Sequence, residues 1–128
     1  MTLALVASVF ALAAALVHVG IFLMESALWS NPRIWRIFGL RSQADADVVR
    51  PMAYNQGFYN LFLAFGASLG VVLFWAVSPV VGKTLVLFAL GSMVAAALVL
   101  TATGRRYLRA ALVQGTIPLV GLVLFAFA

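Results

Sequence analysis

Apolar residues run almost unbroken through four stretches of the chain, and polar residues collect in the gaps between them. The stretches are about Leu3 to Trp29, Met52 to Val77, Thr84 to Thr103 and Tyr107 to Phe127. At about 1.5 Å of rise per residue, each is long enough to cross a hydrocarbon layer of about 30 Å. None alternates with the period of two that a barrel strand needs, and an open strand would leave backbone groups unsatisfied in lipid. The pattern predicts an all-α, polytopic membrane protein: one domain over residues 1–128, a compact bundle of four transmembrane helices. The first run has no basic segment before it and no convincing short cleavage segment, so it reads as a span and not as a leader.

The gaps supply the punctuation. Asn31-Pro32 and Ser78-Pro79 should end the first and second helices, because the residue before a proline is pushed out of the α region. In residues 31–50, Ile34, Trp35, Ile37, Phe38 and Leu40 are interleaved with Arg33, Arg36 and Arg41. That interleaving predicts an amphipathic segment in the membrane interface, arginines toward headgroups and apolar side chains toward the acyl boundary. Trp29, Arg33, Trp35, Arg36 and Arg109 are the expected interface anchors. Gly91-Ser92 should permit close helix contact in the third span. Pro118 should kink the fourth, since it lacks an N–H and clashes with the preceding turn.

Composition sharpens the picture. The chain is 66% hydrophobic and 9% charged, against about 25% charged in soluble domains, and a fold this small cannot bury that much apolar surface from water. Lipid has to serve as the missing exterior. The net charge of +5 could suggest nucleic acid, but its distribution does not. Seven of the eight basic residues lie between Arg33 and Arg50 or between Arg105 and Arg109, each group flanked by apolar runs, as expected beside anionic headgroups. Lys83 alone marks the other side. The arginine-bearing loops should therefore face the cytoplasm, with both termini outside, in a bacterial plasma (inner) membrane. The chain has no cysteine, which excludes disulfides, thiolate metal sites and cysteine nucleophiles.

Polar residues inside the spans are the candidates for chemistry. Glu25 lies near the cytoplasmic end of the first span, and a carboxylate there is costly unless paired, protonated or open to water. His18 is seven residues earlier on the same helical face, about 10 Å deeper. The second span opens with Asn55, Gln56, Tyr59 and Asn60 at four-residue spacings, forming a polar sector that could donate to a carboxylate. Gln114 on the fourth span reaches the same half of the bilayer. Glu25 and His18 are thus candidate proton-binding residues, and Asn55, Gln56, Tyr59, Asn60 and Gln114 a candidate polar pocket. The plainer reading is interhelical hydrogen-bond glue, with Glu25 paired to Arg33, Arg36 or Arg109. No metal site or cofactor is expected: one histidine is too few, and phosphate-loop and triad patterns are missing.

The segments HVGIFLMESALW, FGL at Phe38 to Leu40, and NQGFYNLFLAFG at Asn55 to Gly66 resemble the DUF1304 family of small membrane proteins. The resemblance rests on His18, Glu25, Trp29, Asn55, Gln56, Gly57, Tyr59, Asn60 and Gln114, and covers nearly the whole chain. It implies four transmembrane helices and no particular activity. Three readings stay open: a proton-coupled transporter of a small molecule or ion, a scaffold or sensor, or a membrane isomerase or hydrolase acting on a lipophilic substrate. The expected partners are the lipid bilayer, further copies of the chain and a small lipophilic or cationic ligand.

Overall fold

The computed structural model describes residues 1–128. Helix α1 spans Thr2–Phe22 and continues into a π-turn, Leu23–Ala27; α2 is a short helix, Pro32–Ile37; α3 spans Gln43–Ala76; α4 spans Pro79–Thr103; and α5 spans Leu108–Phe127, after one 3₁₀ turn at Arg105–Tyr107. The chain contains no strand. Four of these segments are long and apolar enough to cross a membrane.

Polar caps fix where the helices start. Asn31 accepts a hydrogen bond from the Arg33 N–H at 3.0 Å, with Pro32 at the first helical position, so this pair opens α2; the first span has already ended at Ala27, ahead of the boundary expected at Asn31-Pro32. Ser42 accepts from the Asp45 N–H at 3.1 Å and donates to the Asp45 carboxylate at 2.7 Å, a reciprocal cap. That cap corrects the expected start of the second span. The helix begins at Gln43, not Met52, and takes in Pro51. The lost bond falls one turn back at Asp47, which is exposed. Likewise α4 begins at Pro79 under the Ser78 cap, five residues before the apolar run. Helix α5 is continuous across Pro118.

Helices α1, α3, α4 and α5 form an up-and-down ring in which α1 packs on α3 and α5, and α4 packs on the same two. The centre is filled largely by alanine: Ala7, Ala11, Ala14, Ala15, Ala64, Ala67 and Ala89 meet Val86, Leu90, Met93 and Phe125. Without a hydrophobic driving force in lipid, close backbone approach through small residues supplies the association. It is tightest between α3 and α4. A Cβ on Gly70 would stand 2.7 Å from a Val86 methyl, and one on Gly82 would overlap the Phe74 backbone. Gly91, expected at such a contact, meets nothing within 4 Å; the close approach lies nearer the α3–α4 turn. The outer faces carry large exposed apolar side chains, among them Leu16, Phe65, Phe88 and Leu98. Such a surface suits lipid and not water.

The arginine-rich end has a second, smaller core. Trp29 and Trp35 are each only 3% exposed and pack with Ala46 and Ala53, flanked by Phe38, Leu40 and Val49. This corrects their assignment as lipid-facing anchors. The early start of α3 gives the two indoles a helix to pack on, and the Trp29 Nε1–H donates to the Ala46 carbonyl at 3.0 Å. Arg33, Arg36 and Arg109 are exposed, and the Arg36 guanidinium stacks 5.2 Å from the Trp35 ring.

Candidate functional site

The last turn of the first span is irregular where it carries Glu25. The Leu28 N–H bonds the Leu23 carbonyl at 2.8 Å, a five-residue step that puts one extra residue into the turn. Such π-turns recur at functional sites because they redirect a side chain that a regular helix would hold elsewhere. Helix α3 lies against this turn at Gly57. A Cβ there would overlap Ser26 Oγ and stand 3.2 Å from both the Glu25 Cβ and the Phe22 carbonyl oxygen. Ser26 Oγ donates to the Tyr54 carbonyl at 3.2 Å, which ties the turn to α3.

One turn beyond Gly57, the Asn60 amide donates to Glu25 Oε2 at 3.0 Å and to the Gln56 carbonyl at 3.1 Å. The carboxylate's protein partner is therefore a neutral amide and not a guanidinium. The carboxyl group borders a cavity of about 210 Å³ whose other walls are Trp29, Phe38, Leu40, Val49, Met52, Ala53 and Gln56. Oε1 receives no protein donor, yet is not among the buried unpartnered atoms. Oε1 thus keeps its accepting capacity.

The remaining expected residues divide. Gln56 joins the cavity wall and Asn60 holds the carboxylate. Asn55 and Tyr59 are exposed on the outer side of α3, Tyr59 bordering a separate apolar groove with Phe62, Gly66 and Phe88. Gln114 is half-buried on α5 and makes no hydrogen bond to the Glu25 group. His18 is buried on α1, with Nδ1 2.9 Å from the Ala14 carbonyl. A carbonyl oxygen only accepts, so Nδ1 carries the proton, and in the neutral ring Nε2 is the acceptor. His18 and Glu25 thus belong to different surroundings, one in the alanine core, the other at a cavity. No group of three or more metal-ligating side chains occurs.

Sequence reasoning missed Ser26, the π-turn, and the walls supplied by Phe38, Leu40, Val49, Met52 and Ala53. The available signal for the walls was the apolar half of the amphipathic segment, which turns inward on protein instead of outward on lipid.

Fold and site together define a small four-helix bundle of membrane-spanning character, closed through its middle, with a largely apolar cavity beside Glu25 at its arginine-rich end. The family model described as "Protein of unknown function (DUF1304)" matches residues 12–126, and the chain belongs to that family. No curated protein and no solved structure matches it.

Proposed function

We propose that the chain is a small inner-membrane protein that binds an amphipathic cation at Glu25 in exchange for a proton, from the arginine-rich face. The observation that carries this reading is the environment of the carboxylate. Seven arginines stand at the same end of the bundle, yet Glu25 takes its bond from the neutral Asn60 amide and keeps an oxygen free beside a cavity. A carboxylate serving only structure gains most from a guanidinium, which neutralises it and matches its geometry. A carboxylate that must release and rebind a ligand is better held by an amide, which orients it without neutralising it. The same oxygen can hold a proton or a cation but not both, and that exclusion is the basis of coupling.

The alanine core above the site, closed by Leu90, Met93 and Phe125, leaves one chain without a continuous path to the far face. Proton-coupled transport across the bilayer therefore belongs, in this reading, to a homo-oligomer, while the single chain supplies the exchange site. The loop charges favour a site at the cytoplasmic face with both termini outside. Because the native chain has no cysteine, single cysteines at Ser42 and Ser78 test the orientation. A membrane-impermeant maleimide applied to intact cells should label the second and spare the first; the reverse pattern inverts the topology.

The exchange itself is tested by infrared difference spectroscopy of lipid-reconstituted protein on addition of dodecylammonium. The expected result is conversion of a protonated carboxyl band to a carboxylate band, with proton release, that is missing in Glu25→Gln. An unchanged spectrum, or the same change in the variant, refutes the reading.

A further inference from the structure

Glu25 in the cavity lining and the arginines next in sequence to two of its walls carry opposite charge, and that pairing selects a ligand class. Glu25 and Gln56 are the two polar residues in the lining of the cavity. Beside them stand two aromatic walls, Trp29 and Phe38, with ring centroids 5.3 Å apart and planes inclined at 55°. The Trp29 N–H is engaged by the Ala46 carbonyl, so its ring is fixed in place. A free carboxylate oxygen next to two π systems is a receptor for an ammonium group.

The residues next to two of the walls in sequence are of opposite sign. Two wall residues, Leu40 and Val49, are each followed directly by an exposed arginine, Arg41 and Arg50. Arg33 and Arg36 are exposed on α2 a few residues away. This end offers seven arginines and the exposed Asp45 and Asp47 outside the cavity, against one carboxylate, Glu25, in its lining. A molecule with an ammonium and a phosphate a short distance apart satisfies both. Its phosphate suits the planar forks of arginine, and its ammonium suits the cavity. An open space of about 210 Å³ walled by eight residues admits a small headgroup and not a whole lipid. The apolar remainder has to lie outside, along flanks that carry large exposed apolar side chains such as Met52 and Leu28.

We propose that this cavity takes the headgroup of an aminophospholipid: the primary ammonium of a phosphoethanolamine on Glu25, Gln56 and the Trp29 and Phe38 faces, its phosphodiester on Arg41 and Arg50. The proposal rests on reading Glu25 as an exchangeable cation site and names the natural cation. A primary ammonium has three N–H donors for the carboxylate and the amide, whereas a trimethylammonium has none and is bulkier. The site should therefore prefer ethanolamine over choline headgroups.

The test uses the full chain with its native sequence, reconstituted in phosphatidylcholine nanodiscs containing equal small fractions of phosphatidylethanolamine and phosphatidylglycerol. Lipid retained after extraction into detergent is counted by mass spectrometry. Retained phosphatidylethanolamine should exceed phosphatidylcholine by about tenfold after correction for abundance, a difference on the scale of one desolvated cation–carboxylate contact. Glu25→Gln should remove that preference, and the double change Arg41→Gln with Arg50→Gln should weaken it. Met52→Trp, which fills the cavity from an exposed position, should do the same as Glu25→Gln without touching a charge, and so guards against a misfolded Glu25 variant. Soluble O-phosphoethanolamine should compete poorly, because it lacks the chains that hold the lipid at the flank; efficient competition would make a free phosphoamine the ligand and overturn the lipid assignment. Equal retention of the three lipids, a preference for phosphatidylglycerol, or a preference that survives in both Glu25→Gln and Met52→Trp overturns it too. Should dodecylammonium still bind through Glu25 in that event, the exchange site stands and only the headgroup assignment falls; should neither bind, both fall.

Discussion

The two ends of the bundle are built on opposite principles. At the end where α3 turns into α4, the connection is two residues long, Val77 and Ser78, and the flanking helices touch backbone to backbone through Gly70 and Gly82. Polar groups there are few and already matched: Trp75 Nε1–H donates to Ser8 Oγ at 3.0 Å, Ser8 donates to the Ala4 carbonyl at 2.8 Å, and Lys83 donates to the Ala126 carbonyl at 3.1 Å. At the arginine-rich end the first helix loosens into a π-turn, a separate small helix packs across it, and a cavity remains beside a carboxylate. One end is arranged for stability, and the other gives up regular packing and leaves a mostly apolar space open beside a carboxylate. Local irregularity concentrated at one site in an otherwise consistent fold is where function is expected.

The largest effect that can break this contrast is at the tight end. Gly82→Leu places a side chain into the Phe74 backbone, where no flexible atom can yield. Loss of about 3 kcal/mol or more is expected, read as unfolding of the purified protein in mild detergent. Gly57→Leu, at the loose end, collides first with the Ser26 hydroxyl, a side chain that can rotate. It should cost about 1–2 kcal/mol while pushing Asn60 away from Glu25. Equal costs at Gly57 and Gly82 would mean that the π-turn is as rigid as the α3–α4 crossing, and the contrast would be lost.

A smaller effect sharpens the account of the second core. Trp29→Phe removes an N–H donor from the Ala46 carbonyl and should cost about 1 kcal/mol beyond its packing. Trp35→Phe removes an indole N–H that is buried without a partner, so the polar part of that change should be neutral or favourable. Thermal unfolding of the two variants side by side checks this: Trp35→Phe should be the more stable. The opposite order would show that the Trp35 N–H has a partner in the membrane-bound protein.

The fold was largely legible because its cause is simple. Runs of twenty apolar residues in lipid must be helices, and Ser78-Pro79 and Asn31-Pro32 mark boundaries by local sterics alone. What could not be read was anything that depends on a distant partner. The start of α3 at Gln43 lies in a polar stretch where hydropathy is silent, and only the Ser42–Asp45 exchange marks it. Trp35 reads as an interfacial anchor from its arginine neighbours; that it packs on Ala46 instead is a tertiary fact. At the site, the pairing of Glu25 with the Asn-Gln-Gly-x-Tyr-Asn stretch could be anticipated from depth. Which of its polar residues reach the carboxylate could not, because the π-turn resets the angle at which Glu25 leaves its helix. Asn60 and Gln56 face the site, while Asn55 and Tyr59 face outward.

The length of α3 has a mechanical consequence. Its 34 residues measure about 51 Å, well beyond the roughly 30 Å of a hydrocarbon layer. At the α3–α4 turn no slack exists to absorb the excess, so the overhang emerges at the arginine-rich end, carrying Ser42, Asp45 and Asp47 into water. Bilayers differ in thickness, and a helix hinged tightly at one end transmits every such difference to the other. Any mismatch between α3 and its bilayer is therefore expected at the end that holds Glu25.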